Sequence, residues 1–102
     1  MLRKKPKTAK DLLRHSKKRA IERYNLYLTN NEVYEIRDLL VAGKGTYLGT
    51  ESHSKTHWKL NYKGVELITV YDKNRRMVAT FLDLNMANNN DYIDKNLLTN
   101  AG

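Results

Sequence analysis

The apolar spacing of this chain changes once, at Gly43–Gly45, and that change limits the folds open to it. Before it, apolar residues return every three or four positions, the period of a helix; after it they alternate, the period of a strand. From Ala9 to about Asn25 the positions Leu12, Leu13, Ser16, Ala20, Tyr24 and Tyr27 fall on one stripe, opposite Arg14, Lys18 and Ile21. That pattern predicts an amphipathic first helix. Thr29 and Glu32 have the spacing of a capping box and predict the start of a second helix. Its apolar positions are Val33, Ile36, Leu39, Leu40 and Val41, and Gly43 with Gly45 closes it.

Past Gly45, Thr46 to Thr50 reads as a short edge strand and Glu51 to Lys55 as a polar loop. Thr56 to Tyr62 alternates, which predicts Trp58, Leu60 and Tyr62 inward and His57, Lys59 and Asn61 outward. Lys63-Gly64 suits a two-residue hairpin turn, because glycine accepts positive φ. Val65 to Tyr71 is apolar on both faces, as a central strand should be; 72–76 is a loop and Met77 to Leu84 a last strand. Helices segregated from strands predict an α+β domain, two N-terminal helices packed on a three- to four-stranded antiparallel meander. A helix-turn-helix competes for the same two helices, but the second is acidic where a recognition helix should be basic. The chain thus divides into a flexible basic arm over 1–8, a single domain over 9–84 and a weakly ordered Asn-rich tail over 85–102. Within that tail 91–98 is expected to hold a weak helical turn or two.

Charge is divided as sharply as period. Up to Arg23 there are ten Lys or Arg against Asp11 and Glu22, whereas the remainder carries nine of each sign, so the net +8 resides in the first segment. A basic block joined to a neutral body is the electrostatic footprint of a polyanion binder, with Arg3, Lys4, Lys5, Lys7, Arg14, Lys17, Lys18 and Lys59 as the contacting cations. The expected partner is a nucleic acid, RNA favoured, or an acidic host protein. With no Cys, and His15, His53 and His57 in no ligand spacing, neither a metal site nor any cofactor is expected. No apolar run approaches a membrane span and no secretory h-region is present, so the expectation is a soluble, cytoplasmic protein with no membrane partner.

His15, Arg19 and Arg23 recur at intervals of four and line one edge of the apolar stripe. An imidazole there serves as acid or base near neutral pH, and two guanidinia there can clasp a phosphate. Spacing alone more often describes a solvated flank whose Arg stems cover apolar surface. Thr80, in the last strand, offers a hydroxyl that usually belongs to the strand itself.

The run His15-Ser16-Lys17-Lys18-Arg19-Ala20-Ile21-Glu22-Arg23-Tyr24, Leu28-Thr29 opening a second helix, Asn61 to Asp72 with its Gly hairpin, and Val78-Ala79-Thr80-Phe81-Leu82 together resemble small phage and bacterial domains. Across Leu12 to Leu84 the pattern is similar to that of RelE-like, colicin-like and barnase-like ribonuclease toxins. The resemblance implies a metal-independent endoribonuclease in which His15 is acid or base, Arg19 and Arg23 hold the scissile phosphate, and Thr80 or Lys59 assists. The alternative is a non-catalytic module that binds nucleic acid or a host protein through the arm and first helix.

Overall fold

The computed structural model describes residues 8–98. The basic arm with Arg3, Lys4, Lys5 and Lys7 lies outside them, except for Thr8, which caps the first helix. Two helices, α1 (Ala9–Tyr24) and α2 (Asn30–Val41), precede four strands, β1 (Thr46–Thr50), β2 (Lys55–Tyr62), β3 (Val65–Asp72) and β4 (Met77–Leu82). Two short helices follow, α3 (Leu84–Asn88) and α4 (Lys95–Leu98). The α+β class is therefore the observed one, with the strands in one antiparallel sheet ordered β1-β2-β3-β4.

Local chemistry sets the helix ends. Thr8 and Thr29 each accept a bond from the backbone N–H three residues on, and Asp11 and Glu32 reach back to the cap N–H, giving two complete capping boxes. The second was expected and the first was not, because Asp replaces the usual Glu or Gln. Helix α1 ends at Tyr24 because Asn25 turns left-handed at φ 52°, a conformation Asn tolerates. Tyr27 is thereby cut from the apolar stripe and stands exposed, as does Val41 at the end of α2. Lys63 and Gly64 both take positive φ, which closes the β2–β3 hairpin with a two-residue turn.

The sheet is covered on both faces. Tyr62, on the Leu60 face of β2, donates its hydroxyl to Glu35 of α2 at 2.6 Å, and that face packs on Val33, Ile36 and Leu40. Helix α1 runs along β4, the edge strand, and the Tyr24 hydroxyl bridges the end of the β3–β4 ladder. It accepts from Ile68 N–H at 3.1 Å and donates to Leu82 C=O at 2.5 Å. Burial pushes that phenol's pKa up, so the bridging proton stays in place. On the open edge of β4 the Phe81 carbonyl accepts from Arg23 at 2.6 Å, so part of that edge is occupied from within the chain.

The other face, bearing His57 and Lys59, meets residues 85–98. The Ile93 and Leu98 side chains are buried, Asp94 N–H donates to Leu48 C=O at 2.8 Å, and the Tyr92 ring stands edge-on to His57 at 4.9 Å between centroids. Residues 85–98 therefore form a covering of the sheet. Gly49 permits the approach, since a Cβ there would lie 1.9 Å from the Tyr92 carbonyl oxygen. This covering also explains why His57, expected to point to solvent, is 1% exposed. Strand β4 is shorter than the expected Met77 to Leu84, because Asp83 leaves the sheet to cap α3 and accept from Met86 N–H.

Candidate nucleic-acid interface and adjoining cleft

Helix α1 presents two different flanks. On its open side Arg14 and Lys18 are exposed, and Lys10, Leu13, Arg14, Lys17 and Asn30 border a groove of about 210 Å³ between α1 and the start of α2. Lys17 reaches Asn30 Oδ1 at 2.6 Å, a contact that fixes the ammonium without neutralising it. The two acids of α1 are engaged already. Asp11 takes the Thr8 N–H and Arg14, and the bond to the Thr8 backbone holds its carboxyl below the usual range. Glu22 is held low by its hydrogen bond to Arg19.

The His15–Arg19–Arg23 line starts beside the open side, where His15 shares a groove of about 520 Å³ with Asp11, Arg14 and Lys18, and runs on to the other flank, and the fold divides these three. His15 lines a cleft of about 160 Å³ together with Leu12, Glu51, Lys55, Val70, Ala79 and Thr80. Arg23 reaches Thr80 Oγ1 at 3.4 Å but makes its short bond, 2.6 Å, to Phe81 C=O. It also borders a different cleft, of about 230 Å³, with Lys59, Glu66 and Asp83. Arg19 borders neither cleft and pairs with Glu22. Lys59 is turned to structure: its ammonium donates to Leu97 C=O at 2.7 Å and lies 3.6 Å from Glu66, so it clamps the C-terminal covering. Of the expected catalytic set the structure brings His15 and Thr80 into one cleft and puts Arg23 against Thr80, with Arg19 apart.

Two residues of the His15 cleft, Glu51 and Lys55, read in the sequence as ordinary loop polar groups. Only the register reveals them. His57 pairs with Val70, and Val70 with Thr80, so alternation sets all three side chains on one face. Beside them Glu51 accepts from His57 Nε2 at 3.0 Å and from the Tyr92 hydroxyl at 3.3 Å. The Glu51 contact assigns the His57 proton to Nε2, which leaves Nδ1 buried with no hydrogen-bond partner. Burial pulls the His57 pKa down, and Glu51 opposes this only in part.

Among the described residues no group of three or more His, Cys, Asp or Glu could hold a metal ion, and no helix is long and apolar enough to cross a membrane. Fold and surface together define a small α+β domain with one cationic helix. No protein family, curated protein or solved structure matches the chain.

Proposed function

We propose that this chain is an RNA-binding protein whose contact surface is the open side of α1, extended by the basic segment preceding it. One observation carries the reading: Lys10, Lys17 and Lys18 pair with no carboxylate among the described residues, whereas both acids of α1 are already engaged. Lys10 and Lys18 lie eight positions apart, about 12 Å along a helix, long enough to reach neighbouring phosphates. RNA is favoured over DNA by the likeness to ribonuclease toxins. The experiment is retardation of a labelled RNA by the protein in EDTA, with Lys10→Glu, Arg14→Glu and Lys18→Glu combined. These exposed changes should abolish binding and leave the circular dichroism spectrum intact; retained binding overturns the reading.

A second reading, metal-independent RNA cleavage, is favoured by the shared cleft of His15 and Thr80 with Glu51 and Lys55. There the imidazole would take the 2′-hydroxyl proton as that oxygen attacks phosphorus, Lys55 would offset charge on the phosphorane, and the P–O5′ bond would break with water protonating the departing 5′-oxygen, leaving a 2′,3′-cyclic phosphate. The same incubation separates the two, since cleavage that is lost in His15→Ala supports an enzyme. Retardation of intact RNA supports the binder.

A further inference from the structure

On the far end of α2 the molecule has a second cationic cleft that the sequence does not announce. It measures about 500 Å³, within the roughly 300–1,000 Å³ of small-ligand sites, and is lined by Arg37, Asp38, Val41, Tyr71, Lys73 and Arg76. Arg37 and Asp38 offset each other through paired contacts at 3.0 Å. The Lys73 and Arg76 side chains have no hydrogen-bond or ion-pair partner among the described residues. Between the cations lies apolar surface, Val41 at 68% exposure and the half-buried Tyr71.

The turn that presents the cations is built rigidly. Asp72, 1% exposed, accepts from Asn74 N–H at 2.9 Å, from Arg75 N–H at 3.1 Å and from the Arg75 guanidinium at 3.2 Å. Lys73 N–H donates to Ser54 C=O at 2.7 Å, and Arg76 is held left-handed at φ 52°. A buried carboxylate that organises its own turn fixes where Lys73 and Arg76 emerge, which lowers the entropy lost on binding.

Resting on the RNA-binding reading above, we propose that this cleft is a nucleotide subsite for single-stranded RNA. A phosphate sits on Lys73 and Arg76, and the adjoining base lies on Tyr71 and Val41. Cations alone would take any polyanion; cations around an aromatic and aliphatic floor suit an unpaired base, whose π-face a duplex hides. From Asn30, where Lys17 touches α2, to Val41 is about 16 Å along the helix, short enough for one strand to reach both places.

The test is titration of a labelled single-stranded oligouridylate about twelve nucleotides long, within the usual ~4–16-nucleotide site sizes, over a range of salt. Wild type is compared with Lys73→Gln/Arg76→Gln, with Val41→Ser and with the α1 triple charge reversal. The double variant should bind about five- to tenfold more weakly and lose about 1.4 from the salt slope, two phosphate contacts at ~0.7 each. Val41→Ser should weaken binding with the slope unchanged. If the oligonucleotide binds wild type, is lost by the α1 variant and is indifferent to the cleft variants, this subsite is refuted while the α1 interface stands. If wild type fails to bind at all, the RNA reading falls and the subsite with it. Equal displacement by polyglutamate at matched charge would overturn the base contact, since any acidic chain would then fit.

Discussion

Replacing Gly49 by Ala tests how the C-terminal segment is held. The added Cβ would stand 1.9 Å from the Tyr92 carbonyl oxygen, 2.9 Å from its carbon and 3.3 Å from Ile93 Cα. All three are backbone atoms, so no rotamer relieves the clash, and reaching a contact of about 3.5 Å demands a displacement of about 1.5 Å. The Asp94 to Leu48 hydrogen bond begins at the neighbouring residue, so such a shift breaks it or lifts the segment off the sheet. Lifting exposes Ile93 and Leu98, each worth about 1.5–3 kcal/mol when fully buried, while the released backbone regains entropy that offsets part of this. The expected net loss is about 2–3 kcal/mol, at the upper end for overpacked sites. Thermal unfolding should shift down by about 10–20 °C. Urea titration of Trp58 fluorescence measures the energy, and limited proteolysis after Asp83 reports whether the segment has come free. A loss within about 0.5 kcal/mol, with the segment still protected, refutes the docking described here.

Stability should also fall as pH drops below about 6.5, because His57 is buried neutral in the fold and protonates more readily when unfolded. The unfolded state then binds the extra proton, so the loss grows from the unfolded pKa downward; His57→Gln should flatten that limb in denaturation curves between about pH 7.5 and 5. Tyr24→Phe should cost about 1–3 kcal/mol in urea unfolding, since Ile68 N–H and Leu82 C=O lose a shared partner in a half-buried place. Thr29→Ala should cost about 1 kcal/mol by removing the cap of α2, with Thr29→Ser restoring it; an unchanged midpoint for the Ala variant would contradict the capping box.

Much of the fold could be read directly. The switch of period at Gly43–Gly45 separates helices from strands, the Thr29–Glu32 spacing starts α2, and Lys63-Gly64 marks the hairpin. These features depend on residues within a few positions of one another. The covering over 85–98 was illegible for the opposite reason. Ile93 and Leu98 are separated by polar residues in an Asn-rich run with no sustained period, and their burial depends on Gly49, far away in sequence. Alternation alone puts His57 in solvent, whereas this layer buries it and also accepts the Lys59 ammonium at Leu97 C=O.

The site shows the same division. The charge split is a property of the first 23 residues and the His15–Arg19–Arg23 line of one helix, and both can be read from local spacing. Where those side chains go cannot, because α1 lies along an edge strand whose carbonyls draw Arg23 to Phe81 while the β2–β3–β4 register carries Thr80 toward His15. By itself the sequence determined α1, α2, the order of the four strands, the β2–β3 turn and the cationic segment, since each is written in the spacing of near neighbours. Only tertiary structure decided which sheet face is covered, which cations stay available and which groups share a cleft. Those outcomes depend on contacts between residues tens of positions apart, where local pattern carries no information.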